Sequence, residues 1–304
     1  MKKTFLTALF LFVCLPVFAE EPSLYAPQTR SATSAQPSNL TLLNFFSEGW
    51  DQEWTHLSTP GGAPDMSLLH VQTNFLEREF RTDYYNQQNV RSNNTGHVSF
   101  LDGLIAYGLN RRIMLEVVGN NQWNSVRKGV PSTGAGSAFV GRLQLVDMPG
   151  ASYAFNFRVS SPNQGVGVNQ TEFTSALAGW NDLTGLGLSR VGLYYSIQED
   201  AYSGPATKTG KNNDLAYAGA LAKTWTDPHT PLAGNFTTFV ELYGSSDLDG
   251  SVRYNYLNVT PAVRTVLGRD RLGHEHVLMA GADFPATNPR AFNTTYRVTY
   301  IFDF

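Results

Sequence analysis

Cysteine, charge and long apolar runs are all scarce in this 304-residue chain. The one cysteine, Cys14, lies in the leading segment. Beyond it the chain can form no disulfide, thiol nucleophile or cysteine metal site. Charged residues make up 15%, well below the roughly 25% of soluble proteins, while aromatics reach 12%. After the first twenty residues no stretch of about 18 apolar residues occurs, so no mature transmembrane helix is expected. Mean hydropathy is nonetheless only −0.23. This combination suits a transmembrane β-barrel, whose strands alternate apolar and polar residues that average out.

Residues 1–19 have the build of a secretory signal peptide. Lys2 and Lys3 give a positive end, Phe5 to Leu15 an apolar core, and Val17 and Ala19 stand before Glu20. Val13 is too large for the residue a lipoprotein signal wants before its cysteine. Loss of the two lysines would take the net charge from −3 to −5, which argues against nucleic acid as a partner. Residues 20–65 form a second region. Its first half, rich in Pro, Ser, Thr and Gln, reads as a linker. Next comes a short amphipathic segment in which Leu43, Phe46, Trp50 and Trp54 fall on one helical face. That face suits a plug entering a barrel from below, a segment lying on the inner leaflet, or a tether packed on the barrel rim. The turn-rich run at 59–64 ends the region.

From Met66 to Phe304 the pattern has period two, with about twelve strand-like runs, from 67–85 to 294–304. In ASYAFNFRVS, at 151–160, Tyr153, Phe155, Phe157 and Val159 oppose Ser152, Ala154, Asn156 and Arg158. The runs exceed the usual soluble strand of about 5–6 residues, and several connections alternate between short and long, as barrel turns and loops do. The expected fold is an all-β, antiparallel, up-and-down transmembrane barrel of about twelve strands. The first run fits least well, because Arg78 stands among apolar residues. Either a bulge near Phe75 and Leu76 shifts its register, or that part lies beyond the bilayer.

With apolar faces toward lipid, the opposite faces carry Glu77, Glu79, Arg81, Asp102, Glu116, Arg142, Arg158, Glu172, Arg190, Glu241, Arg264, Arg297 and Asp303. Their mixed signs suit pairs that stiffen a narrow barrel, or a path for neutral or zwitterionic molecules, rather than a strongly ion-selective pore. No metal or cofactor site is expected. His274 and His276 share a face without a third ligand.

The last run, TTYRVTYIFDF, places Tyr300, Phe302 and Phe304 at alternating positions. They resemble the sorting signal read by the barrel-assembly machinery. Together with FNFRVSSPNQG and RVGLYYSI, this run gives Met66 to Phe304 a layout that resembles the outer-membrane transporters named for the meta-pathway of phenol degradation. The leading segment LLNFFSEGWDQEW through GGAPDMSLLHVQTNFLEREFRTDY also looks like exported barrels from environmental bacteria. The resemblance implies a barrel of about twelve strands and a transport role, and supplies no substrate. A separate pair, His97 and Ser99, resembles the His-x-Ser of outer-membrane lipid hydrolases, with Asn121 on the neighbouring run as a third member. Such a pair arises readily by chance among six histidines. The sequence thus points to an outer-membrane channel or transporter for small molecules, hydrophobic ones among them, and not to an enzyme. Its expected partners are outer-membrane lipid, the assembly machinery and a small solute, with the oligomeric state open. A surface-contact barrel without transport is the alternative, and a lipid hydrolase using His97 and Ser99 comes third.

Overall fold

The computed structural model describes residues 38–55, 61–88, 97–124, 133–161, 171–203, 213–249, 255–287 and 293–304, with the side chains of 97, 122–124 and 133–135 excepted. The signal peptide expected over 1–19 and the linker over 20–37 lie outside the described residues.

The strands are β1 (Arg78–Gln88), β2 (His97–Gly108), β3 (Ile113–Asn124), β4 (Thr133–Met148), β5 (Ala151–Ser160), β6 (Thr171–Asp182), β7 (Val191–Ser203), β8 (Asn213–Thr224), β9 (Gly234–Asp247), β10 (Asn255–Arg269), β11 (Glu275–Pro285) and β12 (Thr294–Asp303). Each pairs antiparallel with its sequence neighbours, and β1 pairs with β12 to close the barrel. Closure leaves no unpaired strand edge. The fold is therefore the all-β up-and-down barrel that the period-two pattern predicts.

Alternation assigns the two faces. Phe155, Phe157, Leu177, Ile197, Leu221 and Val240 are among the large apolar side chains left exposed on the outside. Their neighbours Asn156, Ala176, Ala178, Ser196, Ala220 and Glu241 are buried on the inside. An apolar outer band around a polar interior is the inverse of a soluble protein's arrangement. Irregularities in register fall between Gln144 and Val146, between Arg264 and Val266, and between Val266 and Gly268.

The two ends of the barrel differ. At one end, here the turn end, Met148 pairs with Ala151 across Pro149 and Gly150. Pro149 fixes its own φ, and Gly150 takes a left-handed φ of 80° that other residues rarely adopt. The β2–β3 connection, the start of β1 and Phe304 lie at this same end, where the Phe304 N–H donates to the Arg78 carbonyl.

The first run requires correction. The expected strand over 67–85 begins only at Arg78, and residues 61–77 belong to no strand. Arg78 faces outward at the turn end, its guanidinium 4.9 Å from the Trp54 ring and 4.6 Å from the Tyr107 ring. Its charge thus rests on aromatic faces at the rim. Lys223, in phase with Leu221, likewise reaches the turn end and donates to the Ser189 carbonyl.

Candidate functional site

Residues 61–77 run inside the barrel. Their contacts come from inward side chains on many strands. Glu241 on β9 accepts from the backbone N–H groups of His70 at 3.1 Å and Val71 at 3.2 Å. Asn156 on β5 donates to the Thr73 carbonyl at 3.1 Å, and Arg142 on β4 donates to the Phe75 carbonyl at 2.7 Å. Gln144 and Ser152 both donate to the Asn74 carbonyl at 3.0 Å. Gln72 bonds Ser196 and Gln198 on β7, and Tyr194 donates to the Pro64 carbonyl. A segment without ladder partners must satisfy its backbone in this way when it is removed from water.

Packing supports the same course. Met66, Leu68 and Val71 are buried against Trp180, Tyr194, Ala220, Ala222 and Phe239. The small inward side chains of β8, Ala216 to Ala222 at every second position, leave room for the segment. At Gly281 a Cβ would lie 2.8 Å from Leu69 Cδ1, so glycine permits that close approach.

Leu43, Phe46, Trp50 and Trp54, expected as a plug, a leaflet segment or a tether on the rim, lie in the segment that precedes residues 61–77. Leu43 is 100% exposed, Phe46 92% and Trp50 37%, while Trp54 packs by the cluster of Leu76, Ala106 and Met114 at the turn end. The segment is held on the rim. Leu40 bridges Asp147 through two backbone hydrogen bonds of 2.9 Å. The fully buried Arg112 donates to the carbonyls of Glu48, Gln144 and Leu145 at 2.9, 3.0 and 3.0 Å. These bonds favour the rim over the lumen.

The charged positions singled out from sequence fall into several groups. Glu79 and Arg81 on β1 face inward, and Arg81 makes a fork to Asp83 at 2.8 and 2.9 Å. Asp102 accepts from Tyr85 at 3.0 Å, and Arg142 lies 3.7 Å from Glu116. Arg158 bonds Ser160, and Glu172 accepts from Tyr202. Arg297 pairs with Asp283 at 2.8 Å, and Asp283 also lies 2.9 Å from His70 Nε2. Glu77 stands in the luminal segment just before β1 and accepts from Ser67 at 2.5 Å. Arg190, expected on a strand, lies in the β6–β7 connection with a φ of 53° and pairs with Asp227 at 3.0 Å. Its left-handed backbone ends the alternation there, which takes it off the strand face.

His70, Asp83, Gln144 and Asp283 were not singled out from sequence. Asp83 shares its phase with Glu79 and Arg81 and was recoverable from alternation. His70 was not, because its role depends on the segment entering the lumen. Asp65, also in that segment, is pushed well above the ordinary carboxylate range by burial, with the Asn74 amide at 2.9 Å pulling the other way.

At the turn end the segment leaves a cavity of about 630 Å³. Its described lining includes Met66, Glu77, Glu79, Trp180, Arg264, Ile301 and Asp303. Glu79 and Asp303 are direct cross-strand partners there.

Of the hydrolase constellation, Ser99 and Asn121 share the outward face of the paired strands β2 and β3. Ser99 Oγ accepts from Asn86 Nδ2 at 2.7 Å, and the His97 side chain lies outside the described residues. Asn121 is exposed on β3 opposite Leu101.

No protein-family model and no curated protein matches the chain. Among solved structures it is similar to an outer-membrane channel from Pseudomonas putida F1, at 12% identity over 79% of this chain and 100% of that one, with a TM-score of 0.53. It also aligns with the KdgM porin at 16% identity over 74% of this chain and 99% of that one, with a TM-score of 0.43. The β-domain of the Bordetella autotransporter BrkA aligns at 13% identity over 75% and 100%, with a TM-score of 0.47. The likeness to the Pseudomonas channel shows a shared β-barrel fold.

Proposed function

We propose that this chain is an outer-membrane channel for small molecules whose passage is held shut by residues 61–77. One observation carries the reading: a polar lumen is crossed by a segment of the same chain, held largely by side-chain-to-backbone hydrogen bonds. Such bonds each contribute about 0.5–1.5 kcal/mol net, and about 1.5–3 kcal/mol where one partner is charged, because water replaces them when the segment leaves. Met66, Leu68 and Val71 add apolar contacts to these bonds, so release of the segment also exposes apolar surface.

The outer apolar band supports lipid as the surrounding partner, and the turn end corresponds to the periplasmic side of such barrels. Tyr300 and Phe302 face outward on β12 in phase with the sorting signal read from sequence. The resemblance to the meta-pathway transporters agrees with passage of small molecules and leaves the substrate open.

Single-channel conductance in planar bilayers tests the proposal. The refolded chain should show little steady current, and a His70→Ala, Gln72→Ala double variant should conduct in long openings. Folded barrels of both forms that never conduct would sink the channel reading.

A further inference from the structure

The rim segment carries apolar surface that the barrel leaves uncovered. Leu43 and Phe46 are almost fully exposed, and Leu42 beside them is 66% exposed. The three belong to one tight turn, in which Phe45 stands edge-on to Phe46 at 5.1 Å and to Trp50 at 5.5 Å. Large apolar side chains grouped in this way mark a contact surface.

The backbone beneath them draws its partners from the protein. The carbonyls of Leu42 and Asn44 accept from N–H groups of the same turn, and that of Phe45 accepts from the Trp50 indole at 2.6 Å. Those of Thr41, Asn44 and Glu48 accept from Arg112. The Thr41 N–H donates to the Asn44 side chain at 2.8 Å, and the Asn44 N–H to the Thr41 hydroxyl at 3.3 Å. A loop in water can leave such groups to the solvent, whereas one that meets hydrocarbon must satisfy them internally.

The segment is also continuous with the apolar outer band. Pairing of β3 with β4 ends at Ile113 and Leu143, and Leu40 then takes up the overhang of β4 by its bridge to Asp147. The chain thus joins the barrel wall just before Leu42, below the exposed Leu115 and Val117 of β3. Apolar surface recurs around the whole turn end. Leu109, Leu186, Leu232 and Leu272 stand in four different connections, and each is at least half exposed. A protein bound at one side needs one such patch, while a lipid surface meets a barrel on every side. Asp51 and Glu53, later in the segment, are exposed and give it a polar face.

We propose that the rim segment lies in the inner leaflet of the outer membrane, with Leu42, Leu43 and Phe46 among the acyl chains at the headgroup boundary and Asp51 and Glu53 in water. The partner is phospholipid. This contact rests on the placement of the barrel in a membrane and is independent of passage through it.

Site-specific fluorescence tests it. In the full-length chain with Cys14→Ser, a single cysteine is introduced by Leu43→Cys, Phe46→Cys, Asp51→Cys or, on the outer wall, Leu177→Cys. Each is labelled with nitrobenzoxadiazole and refolded into dioleoylphosphatidylcholine vesicles, and folding is checked by heat-modifiable mobility on a gel. These side chains are exposed, so the substitutions leave the packed interior alone. Emission at 43 and 46 should shift to the blue and be quenched by phospholipid brominated on its acyl chains, as at 177. The dye at 51 should emit as in water and resist quenching. Water-like emission at 43 and 46 beside quenched emission at 177 would overturn the leaflet contact, keep the barrel in the membrane and leave the patch to a protein partner. Equal quenching at 43 and 51 would overturn the orientation. Water-like emission at 177 in a folded barrel would remove the membrane placement on which the contact rests.

Discussion

His70 Nε2 lies 2.9 Å from Asp283 Oδ1, and the His70 ring stacks on Tyr243 with centroids 3.5 Å apart. This contact joins the luminal segment to the wall. Asp283 is fully buried and also receives Thr260 at 2.8 Å and Arg297 at 2.8 Å. The two partners should therefore respond differently to removal. His70→Ala should weaken segment docking by about 1 kcal/mol. The readout is faster hydrogen exchange at residues 69–73 with an unchanged barrel melt. Asp283→Ala strands Arg297 and should destabilise the barrel itself by about 3–5 kcal/mol, measured as a lower urea midpoint.

Arg112 should act as a staple for the rim segment. Its guanidinium holds the carbonyls of Thr41, Asn44 and Glu48 in that segment and of Gln144 and Leu145 on β4, and lies 4.9 Å from the Phe45 ring. Arg112→Ala should release residues 39–54 at a local cost of about 3 kcal/mol. Chymotrypsin should then cut at Phe45 or Phe46 in the variant while the folded barrel remains. Equal protection of these sites in both proteins would contradict the assignment.

Two strand glycines should differ sharply on substitution. At Gly179 a Cβ would lie 2.7 Å from the Tyr195 ring and 2.9 Å from the Tyr153 ring. Both hydroxyls bond Asn181 at 2.9 Å, so the rings are not free to move aside. Gly179→Ala should cost about 1–3 kcal/mol. At Gly119 nothing lies within 4 Å of a Cβ, and Gly119→Ala should be neutral or slightly stabilising. Paired urea titrations of the two variants check both expectations.

Asp65 should make docking of the segment pH-dependent. Burial raises its folded-state pKa above the unfolded value, so the docked state binds the extra proton. Docking is therefore favoured at low pH and weakens as pH rises above the ordinary carboxylate range and through the raised value. Exchange at residues 61–77 should accelerate with pH beyond the intrinsic chemical rate. Asp65→Asn should flatten that excess, since the amide has no proton to lose.

Much of the barrel was legible because an apolar outer face and an inner face of small and polar residues impose period two on the strands. Phe155, Phe157 and Asn156 show the pattern without reference to any other part of the chain. The luminal segment was not legible for the same reason. Met66 and Leu68 are buried and spaced two apart, so they imitate a strand while being packed by the wall. Local spacing cannot distinguish pairing to a neighbour from threading through a ring. Leu43 and Phe46 lay on an apolar helical face, yet Arg112 fixes that segment on the rim through contacts more than sixty residues distant in sequence.

The alanines of β8 have a counterpart across the lumen. There β1, β2, β11 and β12 present Arg81, Asp83, Asp102, Asp283 and Arg297. Once residues 61–77 withdrew, the vacated route would be smooth and apolar on one side and densely charged on the other. A molecule crossing it would meet a field directed across its path, and dipolar solutes would travel in a fixed orientation, one edge against the alanines and the other against the charges.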